Sequence, residues 1–92
     1  MSTTDTLQAR SKRTEAMFKR VAAALGIFVT ADGRIGAGHA AALLGYAEGS
    51  LRNMRSAGGG PCFFNRPLGG YSKSYRLADL ARWVERSREE TL

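Results

Sequence analysis

Cysteine and histidine each occur only once in this 92-residue chain, as Cys62 and His39. A single cysteine excludes an intramolecular disulfide, and one cysteine with one histidine cannot build a zinc site. No nucleophile, base and orienting group form a recognisable set, and the glycines match neither a phosphate-binding loop nor a dinucleotide fingerprint. The sequence therefore predicts no enzyme, no catalytic residue, no metal site and no cofactor.

Long apolar runs are also absent. The longest, from Val21 to Val29, is far too short to cross a bilayer. The opening residues are polar and do not resemble a signal peptide, so we expect a cytoplasmic protein with no membrane partner. The length is that of one small domain with a modest core.

Acidic residues are few and unevenly placed. The chain has 14 Lys and Arg against 8 Asp and Glu, a formal charge of +6, and no acidic residue lies between Gly49 and Ala78. A long stretch with charge of one sign is typical of a surface that follows phosphates, so double-stranded DNA is the predicted partner. About five phosphate contacts would give a slope of log affinity against log salt of roughly −4 to −5. The alternative is a protein-interaction module whose charge only aids solubility.

The stretch from Ile35 to Gly58 has the spacing of a helix-turn-helix. Helices are predicted from Ala37 to Leu44 and from Glu48 to Ala57, with Gly45 at the turn, because glycine adopts positive φ without strain. The predicted seam between the helices consists of Ala40, Leu44, Tyr46, Leu51 and Met54. For this spacing alone, an ordinary helical hairpin in some other small domain is the alternative.

Polar residues on the second of these helices are candidate DNA contacts. Arg52 and Asn53 are the candidates for base contacts, because arginine pairs with guanine and asparagine with adenine through two hydrogen bonds each. Arg55 is expected to reach the DNA backbone, and Ser50 and Ser56 a base or a phosphate. The alternative for each is an exposed polar residue with no partner.

A β-hairpin is predicted after the glycines and proline that end this helix. Its strands are Cys62–Arg66 and Tyr71–Arg76, joined by a loop that contains proline and glycine. The second strand alternates, with Tyr71, Lys73 and Tyr75 on one side and Ser72, Ser74 and Arg76 on the other. Adjacent aromatics leave open whether Phe63 or Phe64 faces inward.

The hairpin carries the second group of candidate DNA contacts. Arginine, lysine and serine side chains at its tip and along its second strand suit phosphate clamping or entry into a minor groove. These candidates are Arg66, Ser72, Lys73, Ser74 and Arg76. For Arg76 an ion pair with Asp79 is the alternative.

Helices are also predicted on both flanks, from Ser11 to Leu25 and from Ala78 to Arg88. The first would use Ala16, Met17, Val21, Ala24 and Leu25 as its apolar face. The second would place Leu80, Trp83, Val84 and Ser87 inward. Whether the basic residues of the first helix are merely solvated, touch DNA or meet another protein stays open.

This order predicts a mainly α fold with a small β-hairpin, a winged helix-turn-helix with an additional N-terminal helix. Residues 1–11 are expected to form a flexible tail, and residues 12–34 a helix and extended segment, including Ile27–Val29, that pack on the core. Residues 35–88 would be the DNA-binding domain. Residues 89–92 would be a frayed end.

Three blocks of sequence carry a family resemblance. They are His39–Gly45, Ser50–Arg55 with the following Gly58–Pro61, and Tyr75–Val84 with its tyrosine, aspartate-leucine and tryptophan. Together they resemble the MerR-like winged-helix domains of excisionases and AlpA-type regulators. The likeness covers about Ile35 to Val84. Met54 stands where many relatives carry tryptophan or tyrosine, and the extension before Ile35 lies outside the likeness.

The resemblance implies an accessory protein that binds repeated sites beside an attachment site. Members of this group bind cooperatively and head-to-tail with neighbouring protomers, bend the DNA and direct an integrase toward excision, and are called recombination directionality factors. Some regulate transcription of a phage or mobile element, which is the alternative here. By this resemblance the helix Glu48–Ala57 would enter the major groove, and the wing, Arg66–Lys73, the adjacent minor groove.

Overall fold

A computed structural model describes residues 6–90, with the side chains of residues 89 and 90 excepted. The described chain is mostly helical and contains one two-stranded antiparallel sheet. In chain order its elements are α1 (Leu7–Ala24), β1 (Arg34–Gly36), α2 (Ala37–Leu44), α3 (Glu48–Ser56), β2 (Ser74–Arg76) and α4 (Leu77–Glu90). No helix in residues 6–90 has the length and apolar character needed to cross a membrane.

Helices α2 and α3 form where the sequence predicts them. Gly45 ends α2 with φ 80°, the left-handed conformation that glycine tolerates best. Leu51 and Ala40 are completely buried between the helices. Tyr46 departs from the prediction: it is 40% exposed. Its ring lies outside the seam, in edge contact with Trp83 at a centroid distance of 6.2 Å, so its hydroxyl end can remain hydrated.

Helix α1 begins at Leu7 rather than at Ser11. The hydroxyl of Thr6 caps its first turn by accepting a hydrogen bond of 3.1 Å from the Ala9 N–H, and such a cap favours helix initiation. The end of the predicted flexible tail is therefore helical, while residues 1–5 lie outside the described part. At the other end of the chain, α4 continues through residues 89 and 90, which were predicted to fray.

The buried face of α1 also differs from the predicted one. Phe18 and Ala22 are buried, whereas Met17, Val21 and Leu25 are 45%, 39% and 63% exposed. Each buried residue follows a predicted one by a single position in the chain. Successive residues of a helix are about 100° apart, so the helix is rotated relative to the prediction and the predicted apolar residues lie at the edge of the contact. This rotation brings Thr14 and the start of α1 toward α4.

A buried carboxylate on α4 fixes that rotation. Glu85 is only 7% exposed, and its Oε2 accepts a 2.8 Å hydrogen bond from the Thr14 hydroxyl. The Nε atom of Arg10 lies 3.3 Å from Oε1 of the same carboxylate, and its side chain is 13% exposed. A buried carboxylate is tolerated only when it is paired and hydrogen-bonded, so these contacts constrain how α1 lies on α4.

The two strands of the sheet are distant in sequence. Ile27–Val29, predicted as extended, is not a strand, and β1 instead follows the turn at Gly33. The register pairs Arg34 with Arg76, Ile35 with Tyr75 and Gly36 with Ser74. The predicted hairpin is reduced to two isolated bridges, Phe64 with Ser74 and Leu68 with Tyr71. The core lies under this sheet and consists chiefly of Ile35, Leu51, Tyr75, Leu77 and Leu80, each with 0% exposure.

Replacing Glu85 should loosen α1 from the rest of the domain. We expect Glu85→Ala to lower the free energy of unfolding by about 3 to 5 kcal/mol, because it removes a buried carboxylate that pairs with Arg10 and accepts a hydrogen bond from Thr14. Glu15→Ala is the matched control, since it removes an exposed pair with Lys19, 3.6 Å away, at a cost of about 1 kcal/mol or less. Urea titration followed by circular dichroism measures both. Equal losses in the two variants would contradict the anchoring role of Glu85.

Candidate nucleic-acid interface

A basic groove of about 390 Å³ separates α3 from the segment of residues 62–73, here called the hairpin segment. The groove lies where predicted contacts from both elements come together, and no carboxylate of the described residues lines it. It is lined by Arg52, Arg55 and Ser56 of α3 and by Phe63, Asn65, Ser72 and Lys73 of the hairpin segment. The folded chain therefore unites two groups of candidate residues that are separated in sequence.

Arg55 is held by aromatic side chains rather than extended into solvent. Its Nη1 donates a 2.9 Å hydrogen bond to the Tyr75 hydroxyl. Its guanidinium carbon lies 5.8 Å from the centroid of the Phe63 ring and 5.9 Å from that of Tyr75. Cation–π contacts of this kind favour a fixed orientation. Arg55 thus connects α3 to β2 and supports one wall of the groove.

Arg52 is exposed and forms an ion pair along its own helix. Its Nη2 lies 2.7 Å from Oε1 of Glu48, with the Arg52 side chain 60% exposed. An exposed pair at this helical spacing contributes about 0.3 to 0.5 kcal/mol, so a phosphate can readily replace the carboxylate. Asn53, Ser50 and Ser56 are exposed on the same helix.

The remaining candidates of the hairpin segment differ in accessibility. Arg66 and Ser72 are exposed, and Lys73 is half-buried at the groove. Ser74 has 0% exposure, and its hydroxyl accepts a 2.9 Å hydrogen bond from Arg34 Nη1. The prediction that Ser74 contacts DNA is therefore wrong. The predicted alternation along β2 holds, but the Arg34 side chain covers Ser74, so this part of the face is not open.

Arg76 pairs with Asp32 and not with Asp79. The Nη2 atom of Arg76 lies 3.5 Å from Oδ2 of Asp32, and Arg34 Nε lies 2.9 Å from the same oxygen. The β1–β2 register places the two arginines opposite each other, next to the turn that carries Asp32. Arg76 and Arg34 also lie 5.0 and 5.5 Å from the centroid of the Phe64 ring. This cluster joins the hairpin segment to the sheet.

Two glycines allow the hairpin segment to approach α2. A Cβ atom on Gly38 would collide with the ring of Tyr71, and one on Gly36 with the backbone carbonyl of Leu68. Tyr71 also meets His39 edge-on at a centroid distance of 5.6 Å. This packing was not predicted from the sequence. The available signal was the spacing of the two glycines, with Gly36 directly before α2 and Gly38 in its first turn, because closely approaching segments require small residues.

The chemistry of this surface suits a polyanion. Guanidinium and ammonium groups alternate with hydroxyl and amide groups around one exposed aromatic ring, and phosphate oxygens accept from all of those polar groups. Comparison with protein families, curated proteins and solved structures finds no match to this chain. Its function must therefore be inferred from the residues themselves.

Protonation of Asp32 should weaken the cluster at the hairpin segment. Hydrogen bonds from Thr30 and then Arg34 lower the pKa of Asp32 from 3.8 to about 2. A lowered pKa in the folded state means that the stabilisation is complete above pH 3.8 and is lost as the pH falls through about 2. We expect Asp32→Asn to melt at a lower temperature than the parent at pH 6 and at nearly the same temperature near pH 2. A difference in melting temperature that stays constant over this range would contradict a contribution from the charge.

Proposed function

We propose that this protein is a sequence-specific double-stranded DNA-binding protein with a winged helix-turn-helix fold. In this proposal α3 lies in the major groove, and the hairpin segment is the wing that follows the adjacent minor groove. The basic groove carries the argument, because it brings cations of both elements, Arg52 and Lys73, to one surface whose lining includes no carboxylate of the described residues. An α-helix fits the width of the major groove of B-form DNA.

The arrangement of the elements supports the wing. Strand β2 pairs with β1 along one edge, and Phe64 meets Ser74 at an isolated bridge. The hairpin segment is thus held beside α3 by the sheet, by the Arg55–Tyr75 hydrogen bond and by the glycine contacts of α2. A wing fixed in this way presents its tip at a set distance from the recognition helix, as simultaneous contact with two grooves requires.

Within α3, the exposed amide of Asn53 is the favoured base-reading group. Arg52 was predicted as a second base contact, but it lines the basic groove beside the wing. That placement favours a phosphate contact for Arg52. Base reading then falls mainly to Asn53, with Ser50 or Ser56 as a further contact.

The biological role that we favour is an excisionase-type accessory factor that directs an integrase by bending attachment-site DNA. The sequence blocks of the helix-turn-helix and of α4 support this role by their resemblance to recombination directionality factors. A stand-alone transcriptional regulator using the same surface is the second candidate. Both require specific binding to duplex DNA, and a protein-interaction module does not.

Duplex binding is tested by selecting sites from a randomised DNA pool and titrating the selected duplex at several salt concentrations. Arg76 belongs to the cluster of Phe64, Arg34 and Asp32, and Arg55 is held by aromatic rings. The main phosphate contacts are then Arg52, whose exposed pair with Glu48 a phosphate can replace, together with Arg66 and Lys73. The slope of log affinity against log salt should then be roughly −3, shallower than five contacts would give. Absence of any selected site, or of binding at low salt, would refute the proposal.

Substitutions of Asn53 and Lys73 should change DNA binding in different ways. We expect Asn53→Ala to lose about 1 to 3 kcal/mol of discrimination at one base pair. Lys73→Ala should weaken binding to all sequences about equally and reduce the salt slope by about 1. Lys19→Ala, which removes the same charge from an exposed position on α1, is the control and should change little. Exchange of the first two outcomes would overturn the assignment of α3 and the wing.

The excisionase role and the regulator role differ in how the protein occupies its DNA sites. On DNA from an attachment site of the encoding element, an excisionase should occupy repeated sites stepwise and cooperatively, with the bend increasing at each step. A regulator should form one discrete complex near a promoter. Gel-shift titration with circularly permuted fragments measures occupancy and bending together.

A further inference from the structure

In the proposed complex, the basic groove between α3 and the wing would face the DNA strand that separates the major groove from the minor groove. A major groove and its neighbouring minor groove are separated by one sugar–phosphate strand of the duplex. If α3 occupies the first groove and the wing the second, that strand must pass between them. The space between α3 and the hairpin segment is the basic groove, so this inference rests on the proposed function.

The ring of Phe63 lies in the basic groove, whose other lining side chains are polar or charged. Phe63 is 39% exposed and contributes to the lining of the groove. Its ring is tilted by 48° against that of Tyr75 at a centroid distance of 6.2 Å, and Arg55 lies over it at 5.8 Å. Because Tyr75 is completely buried, Phe63 rests on a rigid support and keeps one part of its surface turned to the groove.

The side chains that line the groove are chemically complementary to a nucleic acid strand. Such a strand alternates charged phosphates with sugars that have apolar surface. The groove offers Arg52 and Lys73 as cations and Ser56 and Ser72 as hydroxyl donors, together with one apolar ring. Phe63 also helps to hold Arg55, but that contact does not use the part of the ring that is exposed at the groove. Contact of this part with water is unfavourable, and an apolar ligand surface would remove it.

We propose that Phe63 packs against the deoxyribose of one nucleotide in this strand, while Arg52 and Lys73 bind flanking phosphates. The ring has no hydrogen-bonding atom, so a ribose 2′-hydroxyl placed against it would lose its hydration without compensation. The groove therefore selects deoxyribose over ribose at that nucleotide. This is a discrimination between DNA and RNA that no base contact provides.

The first test replaces Phe63 and measures binding to the selected duplex. Phe63→Ala should weaken binding about tenfold, irrespective of base sequence, because the sugar loses its apolar contact. Phe28→Ala is the matched control: Phe28 is 71% exposed and does not line the basic groove, so the same substitution there should leave affinity unchanged. Equal effects of the two substitutions would overturn the proposal.

The second test uses the unaltered protein and so does not depend on how a variant folds. Single ribonucleotides are introduced in turn along each strand of the selected duplex, and affinity is measured for each. We expect a loss of about fivefold confined to one or two neighbouring nucleotides of one strand in each site. Phe63→Ala should remove this local loss.

The outcomes separate the two levels of the hypothesis. Failure to bind any duplex refutes the proposed function itself. Specific binding with a flat ribonucleotide profile overturns only the role of Phe63, and so does a local loss that persists in Phe63→Ala. A loss in Phe63→Ala that is confined to duplexes with one particular base pair would assign Phe63 to base reading and would also overturn the sugar contact.

Discussion

The side chain of Tyr75 joins the hydrophobic core to the proposed DNA-binding surface. Its ring is completely buried, and its hydroxyl accepts a hydrogen bond from Arg55 of α3 at 2.9 Å. Phe63 rests against the same ring. The relative position of α3 and the hairpin segment thus depends on one residue of β2, and the pairing of that strand with β1 places it. The same contacts that hold the core together therefore shape the groove.

The arginines between Gly49 and Ala78 have two different roles: some stabilise the fold and others are available to a ligand. The net charge does not distinguish these roles. Arg55 and Arg76 stabilise the arrangement of the hairpin segment through aromatic rings and Asp32. Arg52 and Arg66 remain exposed. Stacking on a ring leaves the charge of a guanidinium intact, so Arg55 adds to the local potential even though its Nη1 is bonded to Tyr75. Charge alone therefore overstates the number of direct phosphate contacts.

Local signals allowed α2 and α3 to be predicted, because the turn glycine and the apolar spacing lie within one short stretch. The rotation of α1 was not accessible in this way. It depends on the contact between Thr14 and Glu85, which are 71 positions apart, and an apolar pattern carries no information about such a pair. Strand β1 was missed because three residues are too few to show alternation. Its register then explains both the burial of Ser74 and the partner of Arg76.

The sequence does not indicate which of the adjacent residues Phe63 and Phe64 faces inward, but strand pairing determines it. The bridge between Phe64 and Ser74 places Phe64 between Arg34 and Arg76 on the sheet. Successive side chains of an extended segment point in opposite directions, so Phe63 must face away from that cluster. It consequently lies over Tyr75 and beside Arg55, at the basic groove. The long-range pairing of a three-residue strand thereby determines which aromatic ring stabilises the fold and which one is presented to a ligand.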